Sequence, residues 1–209
     1  MFYLKKYITD TTFLGIWKVE ESREEMLSAL DHHEWVENIQ TMRSESRVLE
    51  VLAARMLLKE LTGEEKQVHY KLSGKPYLVD ESYHISISHS KKYVGIALNR
   101  EKPIGLDIEQ ISDKIKRVES RVIGEDEYID RSKELVHLLL HWSAKEAMFK
   151  FLDTDSIDFR EHLIVGHFTP EKEGTFCASE NKTESFHLFK AHYLVEDEFV
   201  MVCLEEDLK

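Results

Sequence analysis

The chain has 209 residues, of which 42% are hydrophobic and 33% charged, and its net charge at pH 7 is -12. This composition supports a folded core and excludes collagen-like, low-complexity and largely disordered chains. The acidic balance argues against nucleic acid as a partner, because a phosphate backbone binds to a basic surface. No run of about 18 apolar residues and no secretory signal occurs. We therefore expect a cytoplasmic protein that does not bind membranes and acts as a monomer.

The first half of the chain predicts a strand, two helices and a meander of strands. Residues 12–20 are rich in β-branched and aromatic residues, which favour a strand, and Ser22 follows as a helix cap. A long helix is expected from Ser44, since apolar residues recur there every three or four positions until Gly63. Residues 84–109 alternate with period two between short turns, which predicts a three-stranded antiparallel meander.

The second half predicts helices followed by a second sheet. Helical patterns occur at 113–131 and, more strongly, at 134–152. Short strands are expected after Asp153, at 162–168, 174–178, 185–195 and 199–204. This order of elements predicts an α+β protein with an N-terminal half, 1–100, and a C-terminal half, 101–209.

Two carboxylates stand one residue apart at the end of the predicted meander. Asp107 and Glu109 alternate with the aliphatic residues Ile104, Leu106 and Ile108. A strand would therefore turn both acids to one face, with the aliphatic side chains on the other. Gly105 is expected to leave room beside the acids.

A third carboxylate and two amines lie in the helical segment that begins at Trp142. Glu146 and Lys150 are four residues apart, so they share one helical face, and Lys145 precedes Glu146. Magnesium is typically held by one or two carboxylates together with substrate phosphates. Asp107, Glu109 and Glu146 therefore indicate a magnesium site, and Lys145 and Lys150 could neutralise charge on a diphosphate. The alternative is a solvated strand edge beside an ordinary surface ion pair.

Further residues could contact a nucleotide or phosphate. A turn formed by Gly74, Lys75 and Pro76 could hold a planar base, and Ser88 and His89 end a predicted strand with groups that can donate to phosphate. Arg47 lies off the apolar stripe of its helix, so it either faces solvent or reaches a phosphate.

The remaining histidines and serines do not form a recognisable site. His137 and His141 are one helical turn apart but lack the glutamate of zinc metalloproteases, so we expect no metal role. No Gly-x-Ser-x-Gly turn supports a serine nucleophile. His32 and His33 follow an acidic helix and are expected at the surface.

Three of these segments, 74–90, 104–109 and 142–150, resemble in their order the signature blocks of the 4′-phosphopantetheinyl transferases. The chain length is similar to the Sfp-type, surfactin-synthetase-activating branch. That resemblance implies two similar α/β halves in a pseudo-twofold arrangement. Each half would have a small antiparallel sheet with packed helices, and the active site would lie in the cleft between them.

The resemblance also implies an activity and a role for each motif. The enzyme would transfer 4′-phosphopantetheine from coenzyme A to a serine of an apo acyl or peptidyl carrier protein, using Mg²⁺ and releasing adenosine 3′,5′-bisphosphate. The residues implied as metal ligands are Asp107, Glu109 and Glu146. The catalytic residues would be Glu146, as ligand or general base, with Lys150 and Lys145 on phosphate.

Six further residues are implied as contacts of coenzyme A. Gly74, Lys75 and Pro76 would line the adenine site, and Ser88 and His89 would contact phosphates, with His89 on the 3′-phosphate. Arg47 would replace upstream basic residues of the family, because the segment before residue 43 is acidic here. Two alternatives remain: a non-catalytic module that binds coenzyme A or a carrier protein, and a magnesium-dependent hydrolase of nucleotide diphosphates.

Overall fold

The structure is a computed structural model that describes residues 1–31, 39 and 41–207. The chain divides into two compact units, Met1–Glu101 and Lys102–Lys209. That boundary lies one residue beyond the boundary expected from the sequence. Both units combine helices with antiparallel strands, which confirms the α+β class. His32 and His33, expected at the surface, lie outside the described residues.

Unit 1 contains a four-stranded antiparallel sheet and a separate hairpin. The sheet order is β1-β2-β6-β5, and the hairpin is formed by β3 and β4. The strands are β1 (Phe2–Tyr7), β2 (Thr12–Lys18), β3 (Val68–Tyr70), β4 (Pro76–Leu78), β5 (His84–Ser90) and β6 (Tyr93–Asn99). Strand β1 was not predicted, whereas the β5–β6 pair was.

Two helices of unit 1 have N-terminal caps where the sequence predicts them, and the longer one also ends where predicted. Helix α1 (Arg23–Ser28) starts with a capping box between Ser22 and Glu25. Helix α2 (Glu45–Thr62) is capped by the Ser44 side chain and ends at Gly63, whose φ of +80° suits glycine. The apolar face of α2 packs into the core of unit 1 together with residues of β2, β5 and β6. The two caps and the apolar periodicity of α2 determine which of its residues face solvent, and Arg47 is one of them.

Unit 2 contains a five-stranded antiparallel sheet in the order β7-β11-β10-β9-β8. Its strands are β7 (Gly105–Gln110), β8 (Leu163–Val165), β9 (Glu173–Glu180), β10 (Leu188–Val195) and β11 (Phe199–Glu206). The predicted three-stranded meander is wrong in its last member, because β7 pairs with β11 and not with β6. In that pairing Leu106 stands opposite Cys203 and Ile108 opposite Met201, so buried apolar side chains of the two strands are neighbours.

The longest helix of unit 2 packs on this sheet, and the shorter helices contact that helix. The helices are α3 (Glu119–Val122) and α4 (Glu134–Leu152), with short 3-10 helices at Asp113–Arg117 and Arg131–Lys133. Helix α4 packs on β7 and β11, and its buried residues form the centre of the unit 2 core. No helix in the described part of the chain is both long and apolar enough to cross a membrane.

Candidate functional site

The close approach of helix α4 to strand β7 depends on Gly105. A Cβ atom at this position would lie 2.2 Å from the backbone oxygen of Ala147, a distance that real side chains do not reach. Gly105 leaves room beside the acids, as expected from the sequence, and the backbone of helix α4 occupies that room. The glycine lets α4 pack directly on the strand that carries the two acids.

Asp107 is clamped by two side chains of helix α4. Its carboxylate accepts a hydrogen bond from Ser143 Oγ at 2.8 Å on one oxygen and from Lys150 Nζ at 2.7 Å on the other. Lys150 also donates to the backbone oxygen of Leu106 at 3.2 Å. Asp107 is only 4% exposed, so both bonds offset the cost of burying its charge. The sequence analysis missed Ser143, although it lies three residues before Glu146 on the same helical face.

Glu109 contacts the same helix at Trp142, the residue before Ser143. Trp142 Nε1 donates to Glu109 Oε1 at 2.9 Å, and the indole ring lies 5.6 Å from the ring of Phe159. Both acids of β7 therefore face α4, as the alternation of the strand indicates. Each acid is oriented by its own side chain on the helix.

Glu146 lies on α4 between Ser143 and Lys150. Burial raises the pKa of Glu146 to about 7, and the negative charges of Asp107 and Glu109 contribute, while Lys150 opposes them. Because the charges of Asp107 and Glu109 both raise the pKa of Glu146, the three carboxylates interact electrostatically. The excess of negative charge there makes the cluster suited to a cation.

The cluster is not a preformed metal cage. In the described ranges, no group of three or more His, Cys, Asp or Glu side chains is arranged to hold a metal ion. Asp107 is instead hydrogen-bonded to Ser143 and Lys150, and Glu109 to Trp142. Magnesium needs only one or two carboxylates when phosphates supply further ligands. The donor set therefore fits an ion that binds together with a phosphorylated substrate.

Lys145 occupies a different place from the one expected. Its side chain is fully buried, and Nζ donates to Glu127 Oε2 and Val122 O, both at 2.6 Å, and to Phe159 O at 2.9 Å. Burial lowers the pKa of Lys145, while Glu127 opposes the shift. Because three interior oxygens hold the amine, we correct its expected role from a phosphate contact to an internal ion pair.

Unit 1 contains a second cluster, which joins helix α2 to strand β5. Arg47 Nη1 lies 2.6 Å from His89 Nε2 and donates to Glu50 Oε2 at 3.0 Å. His89 Nδ1 lies 3.4 Å from the same oxygen of Glu50. The structure thus brings together Arg47 and His89, which are 42 residues apart. The sequence analysis missed Glu50.

The predicted turn at 74–76 connects β3 to β4. Gly74 has a φ of +86°, and Lys71 N donates to Lys75 O at 3.0 Å, so the turn is a closed hairpin loop. Gly74 is exposed, Lys75 is partly buried, and Pro76 begins β4. Ser88 is 4% exposed, and it lies on the opposite face of β5 from His89, since adjacent strand residues alternate. The Ser88 side chain therefore does not share the surface of His89.

His137 and His141 lie in the core of unit 2. Their rings are 4.7 Å apart, and both pack against Phe168. His137 Nδ1 accepts from Asp130 N at 2.9 Å, and His141 Nδ1 bonds to His137 O at 3.0 Å. Burial lowers the pKa of each to about 4, so both rings are neutral at pH 7.

Two comparisons with known proteins bear on this geometry. Residues 103–203, which include β7 and α4, match the model of the 4′-phosphopantetheinyl transferase superfamily. The 4′-phosphopantetheinyl transferase gsp of Aneurinibacillus migulanus is 29% identical over 150 residues. That match covers 68% of this chain, and the chain spans 60% of the length of that relative. These matches confirm the resemblance that the sequence motifs indicate.

Proposed function

We propose that this chain, whose residues 103–203 match the model of the 4′-phosphopantetheinyl transferase superfamily, activates carrier proteins. It would transfer 4′-phosphopantetheine from coenzyme A to a serine of an apo acyl or peptidyl carrier protein and release adenosine 3′,5′-bisphosphate. The observation that carries the proposal is the meeting of Asp107, Glu146 and Lys150 where β7 packs on α4. The β-phosphate of coenzyme A forms a bond to the serine oxygen, and its bond to the α-phosphate oxygen breaks.

The three carboxylates are proposed to bind Mg²⁺ together with the diphosphate of coenzyme A. When bound, Mg²⁺ would neutralise charge on the diphosphate oxygens. Ser143 keeps one oxygen of Asp107 oriented, and Trp142 does the same for Glu109. Lys150, which is 29% exposed and contacts Asp107, can turn its amine to a phosphate oxygen without leaving the cluster. These roles divide the site into carboxylates that hold the cation and an amine that meets the leaving phosphate.

Glu146 is proposed to take the proton of the acceptor serine. A general base works best when its pKa is near the working pH, and in the protein without a bound cation burial raises the pKa of Glu146 to about 7. Asp107 accepts hydrogen bonds from Ser143 and Lys150 that hold its two oxygens in place, so it suits the ligand role better. We therefore assign proton transfer to Glu146 and cation binding chiefly to Asp107 and Glu109.

The coenzyme A contacts proposed in unit 1 differ in how well the geometry supports them. Arg47 and His89 present half-exposed nitrogens, which suit a phosphate. The loop at 74–76, in which Gly74 is exposed and Lys75 and Pro76 are partly buried, can contact an adenine ring through its backbone. Ser88 is buried, so its proposed contact with phosphate would use its backbone and not its hydroxyl.

The proposal is tested by incubating the full chain with coenzyme A, Mg²⁺ and a panel of apo carrier proteins. Mass spectrometry should detect one added phosphopantetheine group on a carrier serine. Asp107→Ala and Glu146→Gln should abolish the transfer, while the surface change Glu60→Gln should not. The absence of the added mass on every carrier would contradict the proposal. Phosphate-containing products released without a carrier would favour hydrolysis instead, and coenzyme A binding that is indifferent to Mg²⁺ would favour a binding module.

A further inference from the structure

Two side chains of unit 1, those of Arg47 and His89, converge on one oxygen of Glu50. Oε2 of Glu50 lies 3.0 Å from Arg47 Nη1 and 3.4 Å from His89 Nδ1. Arg47 Nη1 is also 2.6 Å from His89 Nε2, so the three groups form a closed triangle. Arg47 and Glu50 are one turn apart on α2, and His89 is near the end of β5.

The three groups differ in their exposure to solvent. The side chain of Glu50 is 14% exposed, whereas those of Arg47 and His89 are 44% and 42% exposed. The carboxylate therefore lies beneath the guanidinium and the imidazole. An anion that approaches this surface reaches the two nitrogen-bearing groups before it reaches Glu50.

The contacts also define where the proton of a neutral His89 ring lies. A guanidinium can only donate, so His89 Nε2 accepts from Arg47 and the ring proton is on Nδ1, toward Glu50. A carboxylate that accepts from one ring nitrogen fixes the orientation of the ring and directs the other nitrogen. Glu50 thus aims Nε2 of His89 at the side of the cluster on which Arg47 lies.

We propose that Glu50 is a positioning residue that holds Arg47 and His89 for a phosphate monoester. The terminal oxygens of such a group can accept from Arg47 and, once the bound anion has brought a second proton to Nε2, from His89, whose Nδ1 stays directed at Glu50; a diester or a free hydroxyl cannot do this equally well. This inference rests on the proposed function, because in coenzyme A the monoester is the 3′-phosphate. Glu50 itself would not touch the ligand, since it lies behind the pair.

The competing explanation is that Glu50 forms only a surface ion pair. Partly exposed pairs contribute little to stability, so removing one should leave the fold and all ligands nearly unaffected. A positioning role predicts a different pattern. Loss of the group that orients a metal-binding side chain typically costs 10- to 100-fold in affinity. We expect a loss at the lower end of that range here, confined to ligands that carry the monoester.

The experiment compares coenzyme A with 3′-dephospho-coenzyme A by calorimetry on the full chain. Wild type should bind coenzyme A more tightly, and Glu50→Gln should weaken that binding about 10-fold while leaving the dephospho compound unchanged. Glu60→Gln, an exposed change on the last turn of the same helix, is the matched control. In a His89→Ala background, Glu50→Gln should lose most of its effect, because the residue it orients is gone.

Two results would overturn the inference. Equal weakening of both ligands by Glu50→Gln would show a structural role only, and unchanged binding of coenzyme A would show no role. Neither result depends on transfer activity. If wild type binds coenzyme A but modifies no carrier, the proposed function fails while the binding data still decide the role of Glu50.

Discussion

Replacing Lys145 with methionine tests whether this amine belongs to the interior or to the active site. Its side chain is fully buried, and the partner Glu127 is 5% exposed. Glu127 also accepts from Gly124 N at 2.6 Å and from Val165 N at 2.7 Å. The ion pair therefore joins α4 to the loop after α3 and to β8.

The expected cost follows from this burial. Removing one member of a buried pair leaves the other charge without its partner, which costs about 3 to 5 kcal/mol. Lys145→Met should lower the free energy of unfolding by this amount. The double variant Lys145→Met/Glu127→Gln should recover much of the loss, because no buried charge remains unpaired and the glutamine keeps an acceptor for a backbone N–H. Lys116→Met is the control, since Lys116 forms only exposed pairs with Asp113 and Glu134.

Urea denaturation of wild type, Lys145→Met, the double variant and Lys116→Met measures these differences in the free energy of unfolding. Transfer kinetics measure whether Lys145 takes part in catalysis. We expect a large drop in the midpoint for Lys145→Met, a partial recovery in the double variant and no measurable change for Lys116→Met. At a temperature where Lys145→Met is folded, its KM for coenzyme A should equal that of wild type. A drop no larger than that of Lys116→Met, or a raised KM with normal stability, would refute the interior role and restore Lys145 as a phosphate contact.

Three further changes test the chemistry and packing of unit 2. Glu146→Gln should abolish transfer yet raise the urea midpoint at pH 8 without Mg²⁺. The pKa of Glu146 is raised in the folded protein, so the folded state loses stability as the pH rises from about 4.5 through 7, and glutamine removes this loss. An equal midpoint for variant and wild type at pH 8 would contradict this. His137 and His141 have pKa values lowered from 6.5 to about 4, so the free energy of unfolding should fall as the pH drops from 6.5 toward 4. His141→Leu should remove roughly 3 kcal/mol of that loss. Equal acid denaturation of variant and wild type would argue against a buried neutral ring. Gly105→Ala should lower both the unfolding midpoint and the transfer activity, since the Cβ atom of the alanine would collide with Ala147 O. A midpoint equal to that of wild type would mean that α4 can shift at no cost in stability.

The sequence by itself determined the features that depend on local periodicity and capping. Ser44 and Gly63 marked the two ends of α2, since a side-chain cap and a left-handed glycine act within a few residues. The period of two placed Asp107 and Glu109 on one face, and the four-residue spacing placed Glu146 beside Lys150. These relations hold for any strand or helix, whatever packs against it.

Only the tertiary structure decided what lies opposite each face. The pairing of β7 with β11 joins residues about 95 positions apart, and no local pattern distinguishes that partner from the adjacent strand β6. Lys145 and Lys150 are both lysines of one helix, yet one is enclosed by interior oxygens and the other contacts Asp107. Periodicity defines the angle between two side chains on a helix, but the surrounding elements decide which of them is buried.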